Sequence, residues 1–153
     1  MTVPQSAIDL LKLREGFSTK VYLDSLGLPT CGIGHLLLPS ERAQYPVGSE
    51  VPEEQLSIWI KQDTLRAYGA AVNLATLLNV SDLHFIDVLT SVCFQLGTKF
   101  YKHFPRTWSL MMKHEWEAAA WEVQKSHWYE ETPVRVNDFQ KALRSLIPPK
   151  PQA

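Results

Sequence analysis

No run of apolar residues in this chain is long enough to cross a bilayer, so stable membrane insertion is not expected. Cysteine is scarce. Cys31 and Cys93 stand far apart in no metal-ligand spacing. The N-terminal Met-Thr-Val-Pro-Gln-Ser has neither the basic head nor the apolar core of a signal peptide, so accumulation in the cytoplasm where the chain is made is expected. A disulfide does not suit that compartment, and both cysteines read as small buried apolar residues. Charge of one sign is missing too: 15 basic against 16 acidic residues leave a net −1. That excludes a strong electrostatic pull toward nucleic acid. There is no internal repeat, no G-x-x-x-x-G-K and no H-E-x-x-H. Gly32-Ile33-Gly34 lacks the third glycine and the following helix of a dinucleotide site. What remains is an ordinary globular composition, 45% apolar and 20% charged over 153 residues, enough for one or two small lobes with a real core.

The stretch that organises the chain runs from Arg14 to Leu38. A helical pattern stops at Glu15-Gly16, which puts Glu15 at the negative end of a helix dipole. A short extended run follows, Lys20 to Leu23. Asp24-Ser25-Leu26-Gly27 then has turn chemistry, and a second run, Leu28 to Ile33, returns. This predicts a β-hairpin hung on a helix end. It gathers a carboxyl at a helix terminus (Glu15), a carboxyl at a turn (Asp24) and a strand hydroxyl (Thr30). Glycoside hydrolysis needs such a set: one acid for the leaving oxygen, and a second group on the opposite face of the sugar to manage water or positive charge. On spacing alone the plainer alternative is favoured: a helix-end charge, an Asx turn and a strand Thr.

The rest of the chain reads mostly as helix. The first helix is expected over Pro4 to Arg14, with Thr2 as cap, Pro4 in the first turn, and Ile8, Leu11 and Leu10 buried. After the hairpin come a third short strand and an irregular loop, with segment 39–51 carrying loop residues such as Ser40, Pro46 and Gly48. From Pro52 to about Leu78, Leu56, Trp59, Ile60, Ala67, Ala71, Leu74 and Leu78 recur at three- and four-residue steps. That helix spans about 40 Å, enough to link two lobes. Asp63 lies near its apolar side and wants a partner. Ser81 or Asp82 caps a helix with Leu83, Ile86, Leu89 or Thr90, and Cys93 inward, ended by Gly97. Phe104-Pro105 starts a helix whose Trp108, Leu110, Met111 and Met112 read as core rather than a cofactor box, and Trp116 to Gln124 is a close-packing helix centred on three alanines.

The window E-G-x5-Y-x-D-x2-G-x2-T-x-G-x-G-H, met by Glu15, Gly16, Tyr22, Asp24, Gly27, Thr30, Gly32, Gly34 and His35, resembles the signature of phage-type lysozymes, glycoside hydrolase family 24. Three later segments agree in family order. Lys61-Gln62-Asp63 matches the helix acid that pairs with the motif histidine, which implies a His35–Asp63 pair. Phe94-Gln95-Leu96-Gly97 resembles the segment whose glutamine lines the cleft. Ser126-His127-Trp128-Tyr129-Glu130-Glu131-Thr132-Pro133-Val134-Arg135 resembles S-x-W-Y-x-x-T-P-x-R, with Trp128 in the core and Arg135 facing the catalytic acid. Without the resemblance, Gln95 reads as a helix-end residue in water and Arg135 as a surface helix residue. Two departures stand out. The segment between His35 and Asp63 is shorter than in the family, and His127, Glu130 and Glu131 make the chain less basic than lysozymes that cling to anionic wall.

The resemblance implies an α+β, lysozyme-like fold. A small hairpin lobe covers about 15–58, a long helix about 52–78 and a mainly helical lobe about 79–147, grouped with the N-terminal helix 3–14 and followed by a tail, 148–153. It implies a muramidase that cuts the beta-1,4 bond between N-acetylmuramic acid and N-acetylglucosamine in peptidoglycan, with inversion. Glu15 would be the general acid, and Asp24 and Thr30 would hold the attacking water. Gln95, Gly34 and Leu36 would contact substrate, and His35, Asp63, Arg135 and Tyr22 would support the site. No metal or cofactor is needed. A monomeric endolysin that reaches the wall through a holin is the expected setting. The alternatives are a non-catalytic peptidoglycan-binding module on the same fold, or the same enzyme used as an antibacterial effector.

Overall fold

The computed structural model describes residues 1–151. The fold is α+β, with a three-stranded antiparallel sheet near the N-terminus and a mostly helical remainder. By its internal contacts the chain divides into two compact units, Met1–Arg66 and Ala67–Ala153. The division falls inside the long helix and places the N-terminal helix in the first unit, whereas the sequence grouped it with the helical lobe.

In the first unit, α1 spans Gln5–Glu15 and ends at Gly16, whose φ of 83° and N–H to Lys12 O at 3.0 Å close the last turn. Thr2 does not cap it. Pro4 is the cap residue, with an extended backbone, and its carbonyl accepts from Ala7 and Ile8. The buried stripe is also narrower than expected. Val3, Ala7 and Leu11 are buried at four-residue steps, while Ile8 and Leu10 are half-buried.

The sheet runs β1 (Ser18–Leu23), β2 (Pro29–Gly32) and β3 (His35–Leu36) in that order. Tyr22 pairs with Thr30 and Thr30 with Leu36, so these three form one row across one face. Val21, Cys31 and Leu37 alternate to the other face and build a core with Val51, Leu56 and Trp59, against which Tyr45 packs. Between Ser18 and Tyr22 the register shifts, four residue steps on β1 facing two on β2. There β1 bonds to a different neighbour. Val21 N–H donates to Ser49 O at 3.0 Å, and Gly48 and Val51 donate to Val21 O and Thr19 O.

Segment 39–51 is therefore not simply a loop. It holds a short helix, α2 (Pro39–Gln44), and then a stretch that covers the outer edge of β1. Pro39 sits at the first helical position, and the Glu41 carboxylate accepts the Leu38 N–H at 2.8 Å. The helix α3 (Glu53–Leu77) then matches the expected periodicity: Leu56, Trp59, Ala67, Ala71 and Leu74 are buried.

In the second unit, α4 (Leu83–Leu96) is capped by Asp82, which accepts the Phe85 N–H at 2.8 Å. Leu83 was expected inside and is 77% exposed, because the buried face opens only at Phe85. A 3-10 turn (Phe100–His103) leads to α5 (Pro105–Met112), α6 (Trp116–Val123), α7 (His127–Glu131) and α8 (Pro133–Ser145). The last of these packs on α4, α6 and α7. Ala119 and Ala120 are fully buried, as a close-packing helix requires, and Met111 is buried while Met112 is exposed. Phe139 meets Phe100 edge-on and Trp128 at 5.9 Å between ring centroids. Pro148–Pro151 lies outside any helix or strand, and Gln152 and Ala153 of the expected tail lie outside the described residues.

Candidate active site

Asp24 and Thr30 are joined through one residue. Asp24 Oδ1 accepts the N–H of Leu26 at 2.8 Å and of Leu28 at 2.9 Å. Leu28 O in turn accepts the Asp24 N–H at 2.9 Å and the Thr30 hydroxyl at 3.0 Å. The sequence makes this turn locally. Asp bonds backbone N–H groups ahead of it, and Gly27, at φ 78°, donates to Asp24 O. The consequence is positional: a half-buried carboxylate with one oxygen fixed and the other directed by it, and a buried hydroxyl held at its strand.

Thr30 is the centre of the row Tyr22–Thr30–Leu36, whose outer members are 39% and 51% exposed. Partly exposed side chains thus flank a buried hydroxyl in this row. Gly34 occupies the β2–β3 turn with φ 63°, a conformation that favours glycine, and a Cβ there would meet no atom within 4 Å. Glu15 closes α1, with two residues between it and β1, and is half-buried.

The opposite face of the sheet carries His35. Its Nδ1 lies 2.8 Å from Asp63 Oδ2 and its Nε2 lies 3.1 Å from Glu41 Oε1. The ring stacks on Trp59, 4.5 Å between centroids and 13° from parallel. Burial works against the charged imidazole, but the bonds and charges of Asp63 and Glu41 outweigh it and hold His35 above its ordinary value. Burial likewise pushes Glu41 up. The Leu38 N–H, the His35 ring and the Trp59 side chain together bring it below the usual carboxylate range. Glu41 was missed in the sequence. Its signal was Pro39 at a first helical position with a glutamate two residues on, the pattern of a helix start.

The second unit fixes the remaining two side chains. Gln95 is not a free helix-end residue: its Oε1 accepts the Trp128 indole N–H at 2.9 Å and its Nε2 donates to Thr132 Oγ1 at 3.2 Å. One amide hydrogen remains for another acceptor. Arg135 is 8% exposed rather than on the surface, and its Nη2 donates to Ser91 O and Oγ at 2.9 and 2.8 Å. Neither Thr132 nor Ser91 carried a sequence signal for these roles. Both cysteines are free and buried, and burial pushes the Cys93 thiol up to about 12. Among the described residues no cluster of His, Cys, Asp and Glu is placed to hold a metal ion, and no helix is long and apolar enough to cross a membrane.

The family model described as phage lysozyme matches residues 12–141. The chain is 31% identical over 129 residues to peptidoglycan hydrolase gp36 of Pseudomonas phage phiKMV, a match that covers 84% of this chain and 14% of that protein. It is 26% identical over 149 residues to probable T4-type lysozyme 2 of Dictyostelium discoideum, covering 84% of this chain and 88% of that one. The pre-baseplate central spike protein Gp5 of Enterobacteria phage T4 is 26% identical over 151 residues, across 86% of this chain and 26% of its own. The two phage relatives are therefore far longer than the part that this chain spans.

Proposed function

The chain belongs to the phage lysozyme family and carries its lysozyme-type glycoside hydrolase domain, and we propose that it cuts the beta-1,4 bond between N-acetylmuramic acid and N-acetylglucosamine of peptidoglycan with inversion at the anomeric carbon. Glu15 is the general acid in this reading and protonates the leaving oxygen. Asp24 takes the proton of the attacking water on the far face of the sugar, and Thr30 orients that water. The observation that carries the reading is the shared anchor at Leu28. It holds Asp24 and Thr30 in one fixed arrangement before substrate arrives, as positioning catalysis requires. Tyr22 and Leu36 flank Thr30 with apolar surface suited to a sugar face, and Gly34 lets backbone approach it closely.

His35 and Asp63 support the site from behind the sheet by fixing β3. For Gln95 as a substrate contact and Arg135 as a support of the acid, the reading rests on the family motif. In a phage setting the enzyme serves host lysis, reaching the wall through a holin.

The test is reducing-end release from purified peptidoglycan by the native protein and by folded Glu15→Gln, with the anomer of the product read by NMR. Release by the native protein alone, as the inverted anomer, supports the assignment. Release by both places the acid elsewhere. Sedimentation of both with the wall, without release, makes the chain a binding module.

A further inference from the structure

The corner where α5 begins is rich in cations. Within residues 99–106 lie Lys99, Lys102, His103 and Arg106 and no acid. A cavity of about 200 Å³ opens there, lined by His103, Arg106, Thr107, Glu122 and Lys125 among others. The residue at the cap position of α5 is Phe104, which has no side-chain acceptor, and Pro105 follows it. The N–H groups of Arg106 and Thr107, the first two free donors of this helix, make no hydrogen bond among the described residues.

Thr107 supplies the second, independent observation. It is 4% exposed, it lines the cavity, and its hydroxyl makes no hydrogen bond among the described residues. A buried threonine in a helix usually returns its hydroxyl to the carbonyl four residues back, as Thr64 and Thr90 do here. Thr107 does not. The cations beside it are only loosely committed. Arg106 Nε at 3.6 Å and Lys125 Nζ at 3.3 Å share a single oxygen of Glu122, with both cationic side chains more than two-thirds exposed. Such exposed pairs are weak. Leaving His103 aside, the lining carries two positive charges, Arg106 and Lys125, against one negative, Glu122.

We propose that this pocket binds a soluble phosphate monoester. Two backbone N–H groups and one hydroxyl are three donors at a helix N-terminus, where the dipole favours an anion. A monoester brings three free oxygens and nearly two negative charges. A diester has two free oxygens and one charge, and a carboxylate has two oxygens. Glu122 is the internal competitor, holding the two cations while the pocket is empty.

The test follows backbone amide NMR of the whole chain at fixed pH and ionic strength. The probes are inorganic phosphate, methyl phosphate, glycerol 3-phosphate and dimethyl phosphate, with chloride as the control. The amides of Arg106 and Thr107 are expected to move downfield and saturate with the first three, and to bind dimethyl phosphate about tenfold more weakly. Lys125→Gln, at an exposed side chain that folding does not need, weakens binding about threefold, and Glu122→Gln tightens it about threefold by releasing both cations. Thr107→Val weakens it about tenfold, the loss of one hydrogen bond to a charged group. Vesicles containing phosphatidic acid are expected not to bring the protein down on sedimentation. Shifts that fail to saturate, or that chloride reproduces, overturn the proposal. So do equal binding of dimethyl phosphate, binding unchanged by Lys125→Gln, and sedimentation with the vesicles.

Discussion

At the centre of the first unit a tryptophan, Trp59, has a histidine stacked on one face, and that histidine is bonded to carboxylates on both of its nitrogens. In the second unit a buried phenylalanine, Phe139, has two rings against it, from Phe100 and Trp128. The difference follows from how much apolar surface each unit has to bury. A short three-stranded sheet gives few apolar residues to its core, and the named cluster holds six. Its strands carry the proposed chemistry, so one face is committed to polar and exposed side chains. Ion-paired imidazole then serves where a methyl group would otherwise pack. Four contacting helices, α4, α6, α7 and α8, have no such shortage. Stability in the first unit should therefore answer to pH, and stability in the second to volume.

The largest expected effect tests the second half of that contrast. Phe139→Ala removes a ring that is 1% exposed, and should cost about 3–5 kcal/mol. Urea unfolding followed by far-UV circular dichroism measures it. No titratable group is among the ring's aromatic neighbours, so the loss should be equal at about pH 5.5 and about pH 9. A loss that changed between those pH values by more than about 1 kcal/mol would remove the distinction between the two units.

Asp63→Asn tests the first half. His35 titrates above its ordinary 6.5 when folded. Its contribution to stability is thus fully present below pH 6.5 and disappears as pH rises through the folded value. The substitution should cost about 2 kcal/mol at about pH 5.5, the range for a hydrogen bond between charged groups, and much less at about pH 9. The NMR titration of the His35 ring should move to lower pH in the variant. A ring that titrates as before would show that Asp63 does not hold the charge.

This contrast also explains what could be read in the sequence. The helix at Glu53–Leu77 was legible because its apolar residues recur over many turns, and the hairpin because Asp24 and Gly27 dictate their turn locally. Asp63 stood out as a carboxylate on an apolar side, and the motif supplied its histidine. By contrast α2 is six residues long with no buried residue, too short to show a period. The edge that Gly48–Val51 places along β1 depends on the register shift after Ser18, a tertiary event without local signal. Leu83 shows the opposite failure: its spacing fitted the stripe, but it lies in the first turn, ahead of the buried face. Of the proposed site, the residue types in the Glu15-to-His35 window were all visible. The shared anchor at Leu28 was not, because it is made by backbone groups that any residue carries.

Glu41→Gln gives the smallest shift and the sharpest sign. Glu41 titrates below its ordinary 4.5, so its contribution is present above pH 4.5 and is lost as pH falls through the folded value. Its Oε1 receives two donors, the Leu38 N–H and, while the imidazole is charged, the His35 Nε2–H. A glutamine oxygen keeps the first and weakens the second, so the variant should lose about 1 kcal/mol at about pH 5.5. Above the histidine's own titration the balance turns. A neutral His35 that donates from Nδ1 to Asp63 presents a lone pair at Nε2 to the Glu41 carboxylate, and two acceptors then face each other. A glutamine can turn its amide to donate there, giving up the Leu38 N–H, and a carboxylate cannot. At about pH 9 the variant should match or slightly exceed the native protein in urea midpoint. An equal penalty at both pH values would mean that Glu41 acts only as the cap of α2, and that the charged histidine at the centre of the first unit is held by Asp63 alone.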